Sequence, residues 1–260
     1  MAFRSALLLL SCSQALYCQP FTHVDRGYNE ATIQPGRLLV VVDPVTVAQM
    51  GPLVLSPKLR ADAIKEGASV DTLCDGATRS ARNYLPFTDI ECVASATLPD
   101  DDRIDMSLPL ATVALDVHLP RSGGPRMPPD RFRWVLFVEN LEMGYRPGSS
   151  GASMMTVGGI PTMVGGASTP PVLSACGTLI VWDNLEYKPV SWGHTCGGAL
   201  WEGGLWEVAP QVQSPALAVG SLIDWYLIKT PFGYTRTPSD VEAWRKAAAH
   251  YGRRDPSSSP

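Results

Sequence analysis

The chain has 260 residues, 45% of them hydrophobic and 18% charged, with 21 Lys and Arg against 25 Asp and Glu for a formal net charge of −4. That balance excludes an intrinsically disordered chain, and the length holds one large domain or two small ones with a real core. Mild acidity without clusters of Lys or Arg argues against nucleic acid or an anionic membrane surface as partner, and no run approaches the roughly 18 apolar residues of a membrane-spanning helix.

At the amino terminus, Arg4 precedes the apolar run Ala6 to Leu10, which gives way to small and polar residues, the order of an export signal. Leu9-Leu10-Ser11-Cys12 has the form of a lipobox, in which a small residue precedes a Cys that is acylated and becomes the new N-terminus. Ser13-Gln14-Ala15 instead suits ordinary signal peptidase, with small residues three and one before the cut. We adopt lipidation at Cys12, because a Cys placed directly after a Leu-rich run is otherwise a poor choice for an exported chain, and an acylated Cys12 would anchor firmly. Residues 1–12 are then the signal and lipobox segment, and 13–36 an N-terminal linker. A single domain fills 37–252, and 253–260 is expected to be a disordered tail.

Within the domain, Arg37-Leu-Leu-Val-Val-Val-Asp-Pro is an unbroken β-branched run, expected as a strand buried on both faces. Ser56-Pro57 opens a helix that runs to Gly67, and Ser69 caps a second, on which Val70, Leu73, Cys74, Ala77 and Ala81 share a face. Residues 88–96 and 110–119 alternate as strands, separated by the acidic loop Pro99-Asp-Asp-Asp-Arg, which lacks the alternating ligands of a calcium site. Residues 133–143 form the strongest predicted strand, and 144–174 a Gly/Met-rich insertion. An apolar connection of that length is either a partner-binding or membrane-facing flap or a passive insertion; for a flap, Met154, Met155, Ile160 and Met163 are the expected contact residues. Two apolar runs around Asp183-Asn184-Leu185-Glu186-Tyr187 read as a hairpin. Ser214-Pro215 opens a helix that stops before Pro231, and Thr237-Pro238 opens a terminal one.

Of six cysteines, none forms a zinc-type pair, and Cys18 in the linker has no assigned role. A turn centred near Glu186 sets Cys176 opposite Cys196, within disulfide reach, and Cys74 on its helix can bridge to Cys92 on the following strand. Free buried thiols are the alternative. Bridging requires an oxidising compartment, in agreement with the export signal.

The order of elements predicts an α/β or α+β fold: a mixed sheet with helices packed against it, plus the Gly/Met-rich insertion. The lipobox-like start combines with Leu38-Leu-Val-Val-Val, Ile90-Glu-Cys-Val, Trp134-Val-Leu-Phe-Val-Glu-Asn-Leu, Gly177-Thr-Leu-Ile-Val-Trp-Asp-Asn and the closing Thr230-Pro231-Phe232. In that combination the chain resembles bacterial outer-membrane lipoproteins, and the α/β domain shared by the curli-secretion lipoprotein, the penicillin-binding-protein activator lipoproteins and the N-terminal domain of the Tol translocation protein. The resemblance covers about residues 37–232. It implies a non-enzymatic partner-binding or scaffolding role at the periplasmic face of the outer membrane, with an envelope or membrane-complex protein as partner and no cofactor or metal.

Chemistry was sought in the residues themselves. Ser191, His194 and Asp183 are close in sequence, but an odd spacing puts Ser191 and His194 on opposite faces of one strand. No nucleophile elbow, phosphate-binding loop or zinc-protease helix is present. Trp182, Trp192, Trp201 and Trp206 crowd one region, either as core or, for Trp201 and Trp206, as an exposed contact or sugar-binding row. The alternatives to scaffolding are a secreted hydrolase or a carbohydrate-binding module.

Overall fold

The computed structural model describes residues 21–48, 57–97, 103–110, 113–120, 131–146, 152–157, 160–165, 171–201 and 214–235. Its centre is β2 (Gly36–Val42), where Leu38 to Val42 are all buried, as a β-branched run without polar alternation demands. Two helices, α1 (Pro57–Gly67) and α2 (Val70–Ala81), carry the chain from β2 to β4 (Phe87–Ala94), which pairs with β2 in parallel. On its other side β2 runs parallel to β7 (Trp134–Arg146), which is followed outward by β10 (Val172–Asp183), β11 (Lys188–Leu200) and the short β1 (Phe21–Val24), all antiparallel to their neighbours. The sheet is therefore mixed, as the order of elements predicts. A two-residue strand, β3 (Thr46–Val47), continues beside β7 where β2 ends.

Alternation along these strands divides the core in two. Leu38, Val40, Trp134, Leu136, Val138, Leu179 and Val181 pack with α2 and with α3 (Ser214–Leu227), whose Leu222, Ile223 and Tyr226 are fully buried. The sheet and α2 accept α3 at close range because one position on each lacks a Cβ. A side chain at Gly197 would run into the backbone of Leu222, and one at Gly76 into the carbonyl of Ala216. The opposite face carries Leu39, Val41, Val135, Phe137, Ile180, Trp182 and Trp192. It is covered by an antiparallel hairpin of β5 (Arg103–Leu110) and β6 (Val113–Pro120) through Leu108, Val117 and Leu119. The Trp192 indole N–H donates to the Pro109 carbonyl at 2.6 Å and fixes that hairpin to the sheet.

Three expectations change. The stretch taken as linker joins the domain: Phe21–Val24 is a strand on β11, and Tyr28 is in the core. Residues 103–110 are a strand whose alternation (Ile104, Met106, Leu108, Leu110) is obscured by Asp105 and Pro109. The 144–174 insertion is shorter than supposed, because β7 runs to Arg146 and β10 begins at Val172. Within it, β8 (Ala152–Val157) and β9 (Ile160–Gly165) form a hairpin of their own. The 88–96 strand lies at a sheet edge, where Arg37 bridges Asp89 and Glu91, and Arg131 bridges Glu91. Such charged rungs discourage pairing with a foreign strand. The acidic loop 98–102 and the terminal helix from Thr237 lie outside the described residues.

Candidate functional site

The three strands β7, β10 and β11 form a long arm whose far end carries the β8–β9 hairpin. A kink prepares it. Asn140 adopts φ 50° and donates its backbone N–H to the Asp43 carboxylate at 3.1 Å. Asn tolerates this left-handed conformation, and the inserted residue restores the alternation, so that Leu141, Met143 and Tyr145 return to the helix side. Beyond the kink β7 exchanges β2 for β3, with Ala48 N–H donating to the Met143 carbonyl at 2.8 Å.

The root of the arm is fixed on both faces. On the helix side, Tyr145 meets Trp201 edge to face at 4.8 Å between ring centroids. The buried Arg60 guanidinium from α1 lies 4.4 Å from the Tyr145 ring centre and 5.4 Å from that of Trp201. On the other face, Cys176 and Cys196 are directly paired across the ladder and joined by a disulfide, their Cα atoms 4.1 Å apart. Ser174 donates its hydroxyl to the Gly144 carbonyl at 3.0 Å. A second disulfide, Cys74–Cys92, ties α2 to the edge strand β4 with Cα atoms 5.5 Å apart. Both expected bridges are present, and they match the oxidising compartment of an exported protein.

Beside the Cys176–Cys196 bridge runs a polar row. Glu139 faces Thr178 and Thr178 faces His194 across three strands, with Glu142 opposite Cys176 in the next rung. Burial pushes the His194 pKa below the ordinary imidazole value, although the Glu142 carboxylate acts in the opposite sense. Ser191 lies on the other side of the sheet, sharing a 2.8 Å hydrogen bond with the buried Tyr226 hydroxyl. Asp183 sits at the opposite end of the arm. The set Ser191, His194 and Asp183 is therefore not brought together.

Asp183 has a different role that the sequence reading missed. It is fully buried and accepts from the Tyr28 hydroxyl at 2.9 Å, from Arg133 at 3.0 Å and from the backbone N–H groups of Leu185 and Glu186. Burial and that hydrogen bond raise the Tyr28 pKa. The available signal was Asp-Asn at the start of a hairpin turn, a pair that bonds its own backbone; nothing local pointed to Tyr28 or Arg133.

No family model and no curated protein matches the chain. Among solved structures it is similar to the PelC dodecamer from Paraburkholderia phytofirmans, at 10% identity and a TM-score of 0.28, covering 80% of this chain and 94% of that one. It is also similar to a point variant of the same dodecamer, at 12% identity and a TM-score of 0.26, covering 80% of this chain and 95% of that one.

The expected contact residues fall in different settings. Met154, Met155, Ile160 and Met163 lie on β8 and β9, with Met154 directly opposite Met163. Trp201 is 3% exposed, so it belongs to the packing of the arm root and not to an exposed row. Trp182 and Trp192 are buried as well, which removes these three indoles from any sugar-binding platform. Trp206 and Cys12 lie outside the described residues. No charged residue stands between Arg146 and Asp183. Among the described elements, β8 and β9 pair with each other and share no ladder with the seven-stranded sheet. The arrangement is a root stapled by a disulfide and bearing a ribbon without charge.

Proposed function

We propose that the chain is a non-enzymatic lipoprotein of the bacterial envelope, anchored through Cys12 at the periplasmic face of the outer membrane, which binds or scaffolds a partner complex. The observation that carries this reading is the uncharged β8–β9 ribbon raised on a root held by a disulfide and an aromatic-arginine stack. An isolated two-stranded hairpin is marginally stable in water, so a ribbon rich in Met, Val and Ile is best understood with its partner in place. The anchor is supported by Leu9-Leu10-Ser11-Cys12, and export by the two disulfides. The test is the intact mass and detergent partitioning of the protein made in a Gram-negative host, beside Cys12→Ala. A mass beginning at Cys12 with acyl groups, lost in the control, is expected; a mass beginning at Leu16 removes the anchor.

A hydrolase is favoured by one observation, the row of Glu139, Thr178 and His194. Ester and glycoside hydrolysis abolished by His194→Ala, in a chain that still folds, replaces the scaffold reading with that one.

A further inference from the structure

The four bridged cysteines are all half-buried, so exposure does not separate the two disulfides, but their surroundings do. Cys92 packs with Ile90 against the helix-side core, and its bridge to Cys74 joins a strand to a helix, which share no ladder. Cys176 and Cys196 are directly opposed inside a ladder that runs from Val172 and Leu200 to Asp183 and Lys188, and β7 holds β10 from the other side. Directly opposed residues share a face, and so do alternate rungs. The face of this pair therefore also carries Ser174 and Gly198 on one side, Thr178 and His194 on the other, and the exposed Glu142 opposite Cys176. The bridge sits on a polar, half-buried stretch of sheet, beyond the apolar residues that the β5–β6 hairpin covers.

Opening such a bridge asks little of the fold. The ladders on both sides of β10 keep the two cysteines in register, so the sulfurs can part and rejoin with β10 and β11 still paired. Cys74 and Cys92 have no ladder between them to do the same.

The same register selects the reductant. A thiolate that bonds to one sulfur breaks the S–S bond, and the electron pair leaves on the other sulfur, which takes up a proton. The freed thiol is held beside the resulting mixed disulfide at an effective concentration that a dissolved monothiol does not match, so it expels the incoming group and the bridge re-closes. A reductant with a second thiol of its own attacks the mixed disulfide from within the complex. Its own disulfide closes, the second cysteine is released as a thiol, and two electrons and two protons have passed to the protein.

We propose that Cys176–Cys196 is an exchangeable redox site that takes two electrons from a dithiol reductant, while Cys74–Cys92 remains a structural bridge. This role depends neither on Cys12 nor on the β8–β9 ribbon.

The test uses the full chain with Cys12→Ala and Cys18→Ala, which leaves only the four bridged cysteines. The oxidised protein is equilibrated in buffers of reduced and oxidised dithiothreitol, trapped with N-ethylmaleimide and mapped by peptide mass, with circular dichroism recorded in parallel. Labelling of Cys176 and Cys196 is expected at a ratio of reduced to oxidised reagent about tenfold or more below that for Cys74 and Cys92. The circular dichroism of the oxidised chain should be retained at that ratio. Reduced glutathione at the same thiol concentration is expected to leave the bridge closed. Opening of both bridges together, earlier opening of Cys74–Cys92, or labelling only as the fold is lost overturns the proposal. Equal opening by glutathione overturns the choice of a dithiol as its substrate.

Discussion

The arm of β7, β10 and β11 ends in two hairpins of opposite design. At one end the β10–β11 turn is built on a fully buried Asp183 that holds Tyr28, Arg133 and two backbone N–H groups, while Asn184 donates to the Phe132 carbonyl at 3.1 Å. At the other end the β8–β9 ribbon contains no charge and shares no ladder with the main sheet. The first hairpin can form in only one way, because any other leaves a charge buried without partners. The second is closed by its own ladder alone. On the proposed reading, stability and contact fall at opposite ends of the same strands, and substitutions test that division.

The largest loss is expected at the turn. Asp183→Ala strands the part-buried Arg133 and the Tyr28 hydroxyl together, and removal of one member of such a pair costs ~3 to 5 kcal/mol. Asp183→Asn keeps an oxygen for the Leu185 and Glu186 N–H groups and should cost about 1 to 2 kcal/mol. Urea unfolding of the two variants reads the difference; equal losses would show that the ion pair, and not the turn bonds, carries the effect.

Next come the disulfides. With sequence separations of 18 and 20 between their cysteines, the chain-entropy model assigns each about 3 kcal/mol. Double Ala variants should therefore lose similar stability. They should differ in where protection against hydrogen exchange is lost: along β4 and α2 for Cys74 and Cys92, and at the root of the arm for Cys176 and Cys196. Uniform loss in both would argue that the arm root is not an independent unit.

Much of this architecture was legible because it is local. The β2 run, the Ser69 cap, Pro at the first turn of α1, and the pairing of Cys176 with Cys196 each follow from a few adjacent residues and a turn centre. The parts that were missed depend on distant partners. Phe21–Val24 reads as a polar lead because its pairing strand lies far along the chain. Likewise, Tyr28 meets Asp183 across 155 positions. β5 hides its alternation behind a Pro that an outer strand tolerates. At the site, composition alone singled out Met154, Met155, Ile160 and Met163, whereas burial of Trp201 required Arg60 and Tyr145 from two other elements.

Smaller effects come from buried groups along the arm. Tyr226→Phe leaves the Ser191 hydroxyl unpaired and should cost about 1 to 2 kcal/mol. Burial raises the pKa of both Tyr28 and Tyr226, so their neutral forms support the fold below the unfolded tyrosine value of about 10. That support is lost as pH rises above it, and alkaline unfolding should be shallower in Tyr226→Phe. His194 has the opposite sign: its folded pKa is depressed, so the unfolded chain takes the proton first and stability falls as pH drops below about 6.5. Since Glu142 opposes the depression, Glu142→Gln should lower the imidazole pKa further, as read by ring-proton titration. A rise would mean that another group sets the field at His194.

The smallest effect on stability is expected from the largest change in sequence. Arg146 and Val172 are paired at the end of the β7–β10 ladder, so residues 147–171 can be replaced by a two-residue Asn-Gly turn, a sequence suited to closing an antiparallel pair. The excision removes the ribbon and spares the Cys176–Cys196 bridge, the Arg60 stack and the Ser174 bond to Gly144. Shortening the closed loop lowers its entropy cost slightly, and apart from the bond that Trp201 N–H donates to the Pro171 carbonyl at 2.9 Å no bond of the arm root is given up, so unfolding free energy should stay within about 1 kcal/mol of the parent. A loss of several kcal/mol would mean that the ribbon is part of the core's support, and the division of labour between the two hairpins would have to be abandoned. An unchanged fold that no longer engages its partner would locate binding in the one segment on which the fold does not depend.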